Sequence, residues 1–122
     1  MISIKDMIAL EDASELAGIS KLQLMENAGK GIFNFLNKKF NLKDKKVLIF
    51  CGQGNNAGDG FVAARYLSKV CDVSILFLGK EARLRKEGKA NFEKIKNKIK
   101  LIKNPENNYN IIIDAMLGTG IT

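Results

Sequence analysis

Val47-Leu48-Ile49-Phe50-Cys51-Gly52-Gln53-Gly54-Asn55-Asn56-Ala57-Gly58-Asp59-Gly60-Phe61-Val62-Ala63-Ala64-Arg65-Tyr66-Leu67 reads as an apolar strand, a glycine-rich loop and a helical pattern in direct succession. Glycines let the backbone turn tightly and come close to a ligand, and the free N–H groups and positive dipole end of the following helix point at the same place. The layout is that of a phosphate cradle, and an anion is its natural guest. The spacing Gly52-x-Gly54-x-x-x-Gly58 is one residue longer than the dinucleotide fingerprint G-x-G-x-x-G. That fingerprint also wants a carboxylate about 20 residues on, whereas the next strand, residues 73–78, runs into Gly79-Lys80. No Lys-Ser/Thr follows the last glycine, so the loop is not a P-loop either. A standard nicotinamide dehydrogenase is thereby disfavoured. Two adjacent amides, Asn55 and Asn56, and the carboxylate of Asp59 set this loop apart.

On either side of the loop the pattern is that of an α/β protein. Upstream, Ser3 can cap a helix with apolar positions Ile4, Met7, Ile8 and Leu16 that stops at Gly18. Ser20 can cap a second one running through Leu24, Ala28, Ile32, Phe35 and Leu36. After the polar break Asn41-Leu42-Lys43-Asp44, strand 46–51, helix 60–70, strand 73–78, basic helix 82–97, a short strand near 99–102 and strand 110–114 alternate. Such alternation predicts a Rossmann-like, doubly wound, mostly parallel sheet with helices on both faces, here prefaced by two helices and ending after the strand at 110–114. In that order strand 46–51 lies between strands 73–78 and 110–114, and their loops face each other across the topological switch point. Asn56, Asp59, Asp114 and the Gly118-Thr119-Gly120 backbone then converge on one crevice.

Composition bounds the rest. A chain of 122 residues with 46% hydrophobic and 27% charged residues is one globular domain. No run is long enough to cross a bilayer and the start lacks a secretion signal, so the expected place is the cytoplasm, without a membrane partner. Cys51 and Cys71 lack metal-ligand spacing and read as reduced core thiols. The net charge of +7 resides in residues 80–103, with ten Lys or Arg against three Glu. Leu84, Phe92, Ile95 and Ile99 recur there at helical intervals, which turns the bases outward as a solvated face and leaves no interleaved aromatic platform for nucleic acid.

The chain has no histidine, which removes the usual zinc sites and any His-based triad. Asp59, just ahead of helix 60–70, reads either as its N-cap or as a ligand contact. Asp114 ends a strand expected to be buried, where a carboxylate needs a cation, donors or a ligand beside it.

Three stretches together carry a family resemblance. Gly52-x-Gly54-Asn55-Asn56-x-Gly58-Asp59-Gly60 with Ala64-Arg65-x-Leu67 resembles the signature of the NAD(P)H-hydrate epimerase family, whose domain is also called YjeF N-terminal. Gly18-Ile19 leading to Leu24-Met25-Glu26-Asn27-Ala28-Gly29 is similar to its first-helix signature, and Asp114-Ala115-Met116-Leu117-Gly118-Thr119-Gly120 to its second ligand loop. Ala57 stands where the family more often has glycine, which matters only if that residue needs a positive φ. The resemblance implies an isomerase of nicotinamide nucleotide repair that interconverts the R and S forms of hydrated NADH and NADPH (NADHX and NADPHX). It implies substrate contacts from Asn55, Asn56, Ala57, Gly58 and Asp59 and from Gly118, Thr119 and Gly120, and a potassium ion held by Asn56 and Asp114. Glu26 and Asn27 belong to a family motif but read as a hydrogen-bonded packing contact, and no acid–base residue is assigned.

The resemblance also implies that the family's domain continues past Thr122, with strands bearing further substrate and potassium groups. On that basis the chain is one incomplete domain over residues 1–122, strand 110–114 is an exposed edge, and the chain alone is a poor epimerase. A homodimer and a C-terminal dehydratase domain or partner stay open. The runner-up is a non-catalytic relative, a dimerising or RNA-binding scaffold of the kind found in messenger-RNA decapping proteins, for which the basic segment would suit. A nucleotide-binding module of other chemistry is the third reading. Asn55, Asn56, Asp59 and Asp114 favour the enzyme, since a scaffold needs no cation-coordinating crevice.

Overall fold

Strands β1 (Ile2–Ser3), β2 (Lys46–Cys51), β3 (Asp72–Phe77), β4 (Lys100–Ile102) and β5 (Ile111–Ala115) form one sheet in the order β1-β5-β2-β3-β4. All neighbours are parallel. This is a computed structural model that describes residues 2–3 and 19–116, except the side chains of Ile2, Ser3 and Asn55. The helix expected before Gly18 lies outside the described residues, and Ser3, its expected cap, falls in β1. Helices α1 (Lys21–Lys39), α2 (Asn55–Leu67) and α3 (Lys86–Ile95) complete the layer, with a 3₁₀ turn at Glu81–Arg83.

The central strands are where the apolar runs predict them. Val47, Ile49, Cys51, Val73, Ile75, Ile111, Ile113 and Ala115 alternate onto one face and form a single core with the described helices. Leu48, Ser74 and Leu76, on the other face, are buried too, as a parallel sheet requires. The register pairs Ile49 with both Ile75 and Ile113, which sets β2 between β3 and β5 as the doubly wound plan demands.

One expectation is corrected. β5 is not an edge, because Ile2 and Ser3 pair with Ile113 and Asp114 on its outer side. Two residues without a period give no sequence signal for such a strand. The edge at the other end is β4, which is three residues long, begins with Lys100 and is followed by Lys103, features that blunt an edge against further pairing.

Helix α1 starts as predicted, with the Ser20 side chain accepting from the Gln23 N–H at 3.1 Å. Met25, Ala28, Ile32 and Leu36 face the core, whereas Phe35, expected on that stripe, is exposed and lies under the Lys39 ammonium. The basic segment buries Leu84, Phe92, Ile95 and Ile99 as predicted. Its helix is shorter than expected, 86–95 rather than 82–97, because Leu84 is extended between the 3₁₀ turn and α3.

Candidate functional site

Helix α2 begins five residues earlier than the sequence suggests. Gly54 is its N-cap and offers no side-chain cap, so the first turn is built from Asn55, Asn56 and Ala57, with the Ala57 N–H bonded to the Gly54 carbonyl at 3.0 Å. Asp59 is therefore not an N-cap. It sits in the second turn, buried like Asn56, and both are engaged by neighbouring groups. Ala57 is fully buried within the helix and is not among the residues of positive φ, so alanine is at home there.

The helix starts early because its glycines are packing residues. A Cβ at Gly60 would stand 2.9 Å from both Ala115 Cβ and Cys51 Sγ, so α2 lies directly on the ends of β2 and β5. A Cβ at Gly58 would meet Met25 Sδ at 2.4 Å, and one at Gly29 would meet Val62 Cγ1 at 2.3 Å, which presses α1 against α2. At Gly60 and Gly29 the neighbours are short side chains and backbone that leave no room for a Cβ, whereas at Gly58 the neighbour is the flexible end of Met25. Asn56 is one turn before Gly60 on the same helix face and so overhangs the carboxyl ends of β2 and β5.

The facing loop meets it there. The Gly52 N–H bonds to the Ala115 carbonyl at 3.4 Å, and a Cβ on Gly52 would lie 2.9 Å from the Met116 carbonyl oxygen. Asp114 is half-buried and its Oδ1 accepts from the Met116 N–H at 2.9 Å, turning the chain away from the strand. Ala115 faces α2, so Asp114 projects from the other face of the sheet. A ligand touching both Asn56 and Asp114 must sit at the strand tips. Gly118, Thr119 and Gly120 lie outside the described residues.

Gln53 is a residue the sequence reading passed over. Its Oε1 accepts from the Lys80 N–H at 2.7 Å and its Nε2 donates to the Lys80 carbonyl at 3.1 Å, like one rung of a sheet made by a side chain. With Leu78 N–H on the Cys51 carbonyl at 2.8 Å, it locks the loop after β3 to the loop after β2. A glutamine between two glycines, facing a second glycine turn, is the only sequence sign of it.

Glu26 has a packing role, as expected. Its carboxylate accepts from Arg65 on one oxygen and from the Tyr66 hydroxyl on the other, tying α1 to the far end of α2. Burial alone would raise its pKa, but the Tyr66 hydroxyl and the Arg65 charge outweigh that and hold it below the ordinary glutamate value. Asn27 accepts from Gln23 on the same helix at 2.8 Å. Both cysteines are free, and burial holds the thiols protonated, Cys71 at about 11.

Elsewhere the described surface offers less. Among the described residues no cluster of three or more Cys, Asp or Glu could hold a metal, and no helix is long and apolar enough to cross a membrane. Phe92 packs edge-on against Phe61 and stays in the core, so the basic face lacks an aromatic platform. An open groove of about 450 Å³ lined by Phe40, Leu42 and Val70 lies by the C-terminus of α1, away from the glycine loop.

A parallel sheet in the order β1-β5-β2-β3-β4, with the loops after β2 and β5 meeting at the switch point, defines a Rossmann-like α/β domain. The sequence profile described as YjeF-related protein N-terminus matches residues 21–122, and the chain belongs to that family. It is 45% identical over 121 residues to the bifunctional NAD(P)H-hydrate repair enzyme Nnr of Archaeoglobus fulgidus, covering 98% of this chain and 25% of that one. It is 36% identical over 129 residues to the NAD(P)H-hydrate epimerase of Cenarchaeum symbiosum, covering 99% of this chain and 60% of the relative. The chain thus spans about a quarter of the bifunctional relatives and under two thirds of the epimerases. In fold it is similar to the crystal structure of the yeast protein ynu0, with a TM-score of 0.73 at 24% identity over 100% of this chain and 58% of that one.

Proposed function

We propose that this chain supplies the dinucleotide-binding part of an NAD(P)H-hydrate epimerase, an isomerase that interconverts the R and S epimers of NADHX and NADPHX in the cytoplasm. The observation that carries the reading is the start of α2. A helix whose N-cap has no side chain, held by glycines over the ends of β2 and β5, turns its first N–H groups toward the switch point. The pyrophosphate of a dinucleotide is an anion suited to that place. Relatives at 36% and 34% identity are named NAD(P)H-hydrate epimerase and others at 31 to 45% bifunctional NAD(P)H-hydrate repair enzyme, which weighs in the same direction.

Asn55 to Asp59 form the substrate-binding turn in this reading, with Gly118 to Gly120 opposite. The donor chemistry of Asn56 and Asp114, an amide and a carboxylate oxygen at the same end of the sheet, fits a potassium ion. Such an ion, when bound, supplies positive charge beside the anionic dinucleotide. The Gly60 contact fixes the helix that carries Asn56, and Asp114 is held by its bond to the Met116 N–H. Epimerisation breaks the bond from the hydrated ring carbon to oxygen and re-forms it on the opposite face, which calls for a positioned proton carrier. No described residue is assigned that task. The family's bifunctional members motivate a dehydratase as the accompanying activity, which would consume one epimer.

The test is conversion of R-NADHX to the S form in potassium buffer by the protein that carries this chain. A rate above the spontaneous one that falls when potassium is replaced by sodium is the expected result. Conversion at the spontaneous rate together with tight RNA binding at physiological salt would favour the scaffold instead.

A further inference from the structure

We infer that Lys80 and Leu78, at the exit of β3, form a subsite for the adenosine end of the dinucleotide, with Lys80 reading a 2′-phosphate, so that the phosphorylated form is the preferred substrate. The inference rests on the dinucleotide reading of the glycine loop and deepens it.

The observations are local to one turn. In Rossmann dinucleotide sites an acidic residue about 20 residues beyond the glycine loop takes the ribose 2′-hydroxyl, whereas a nearby arginine accommodates a 2′-phosphate. The loop here departs from that fingerprint in spacing but keeps the strand order. The strand beyond the loop is β3, and Phe77-Leu78-Gly79-Lys80 closes it with no carboxylate. The Lys80 backbone is fixed from two sides. Its N–H and carbonyl are both taken by Gln53, one residue before the cap of α2, and the same carbonyl accepts from the Arg83 N–H at 3.0 Å. Through Gln53, Lys80 stands in direct contact with the loop proposed to hold the pyrophosphate.

Among the described residues the Lys80 ammonium makes no ion pair, and the adjacent Glu81 is engaged by Lys96 at 3.5 Å. A lysine with a clamped backbone, exposed and without an ion pair among the described residues, suits a compact anion as a point charge. Beside it Leu78 is 62% exposed, more than the other large apolar side chains among the described residues. An apolar side chain left in water next to that cation offers a flat contact for an adenine ring.

The experiment measures Kd for NADP⁺ and NAD⁺ by titration calorimetry, on the parent, Lys80→Ala, Lys80→Glu and Lys89→Ala. Lys89 is an exposed base on α3 and reports the effect of losing any one positive charge. The parent should favour NADP⁺ by about tenfold or more, as expected for one charge-assisted contact. Lys80→Ala should bring the two ligands to near equality, Lys80→Glu should invert their order, and Lys89→Ala should leave the ratio as in the parent. That pattern supports the subsite even in a preparation without epimerase activity, which would count against the enzymatic reading alone. Equal affinity in the parent, or a ratio lowered equally by Lys80→Ala and Lys89→Ala, overturns the subsite even if both hydrates are epimerised. Failure to bind either nucleotide overturns it together with the dinucleotide reading.

Discussion

The two ends of the sheet are held together by different means. At the amino end the fastenings are polar and wet. The Lys46 N–H meets Asn110 Oδ1 at 2.8 Å, its ammonium reaches Glu106 and lies over the Tyr109 ring, and Lys100 pairs with Glu106 at 2.9 Å. At the carboxyl end the fastenings are close approaches. Gly60 lies on Ala115 and Cys51, Gly52 lies against Met116, and one glutamine joins the two turns. Exposed ion pairs are worth little and tolerate motion, whereas an approach that excludes even a methyl group fixes position. The rigid end is the one that carries the candidate site.

If that contrast is right, variants at the two ends should differ in size and in kind. The largest effect is expected for Gly60→Val, whose added carbons would enter the space of Ala115 and Cys51 and cost about 3 kcal/mol or more. Chemical denaturation checks it, with Gly31→Ala as the counterpart. Nothing lies within 4 Å of a Cβ at Gly31, so that change should stabilise the helix by about 0.5–1 kcal/mol. A well-tolerated Gly60→Val would break the comparison outright.

Next comes Asp114→Asn, which keeps the acceptor for the Met116 N–H and removes the charge. On the proposed epimerase reading, conversion by the protein that carries this chain should fall about 100-fold, the scale of a misplaced reacting group, with loss of the proposed potassium dependence and little change in melting temperature. A collapse of stability with normal activity per folded molecule would make Asp114 structural.

Glu26→Gln acts at neither end and should cost about 1.5 kcal/mol through its bonds to Arg65 and Tyr66. Its depressed pKa gives the effect a direction in pH. The contribution is fully present above the ordinary glutamate pKa, about 4.3, and is lost as pH falls from there through the lower folded value. The stability gap between parent and variant should therefore close in acid, and a gap independent of pH from 7 to 3 would contradict the ion-pair account.

The smallest effect is expected at the amino end. Lys100 and Lys46 lower the pKa of Glu106, but the group is solvent-exposed. Glu106→Gln should leave the melting temperature nearly unchanged, and any difference should vanish in 1 M salt.

The core strands were legible because burial on both faces leaves continuous apolar runs, and Lys46–Cys51 was placed to the residue. Ser20 announced α1 by the chemistry of its hydroxyl. The start of α2 was not legible, since Gly, Asn and Asp are poor helix formers and nothing local shows that Gly58 and Gly60 face other elements at contact distance. Tertiary packing overrides propensity there. Of the candidate site, the sequence located Asn56, Asp59 and Asp114 at one end of the sheet through strand order, but it could not show that Asp59 is inside the helix or that Asp114 projects from the opposite face to α2. Gln53 was invisible because its role depends on a turn 27 residues away.

The position of β5 also bears on how the sheet comes into being. β2, β3 and β4 are neighbours in space in the order in which they are made, so their pairing can start early. β5 is then inserted between β1 and β2, joining residues 111 apart in the case of Ile2 and Ile113. Until the ribosome has released Ala115, one side of β2 and the first residues of the chain have no strand to pair with. At about 5–20 residues per second, synthesis of the 64 residues between Cys51 and Ala115 takes several seconds. The nascent chain must pass through that interval with Val47 and Ile49 on an open strand, and a delay in translation there would lengthen the exposure.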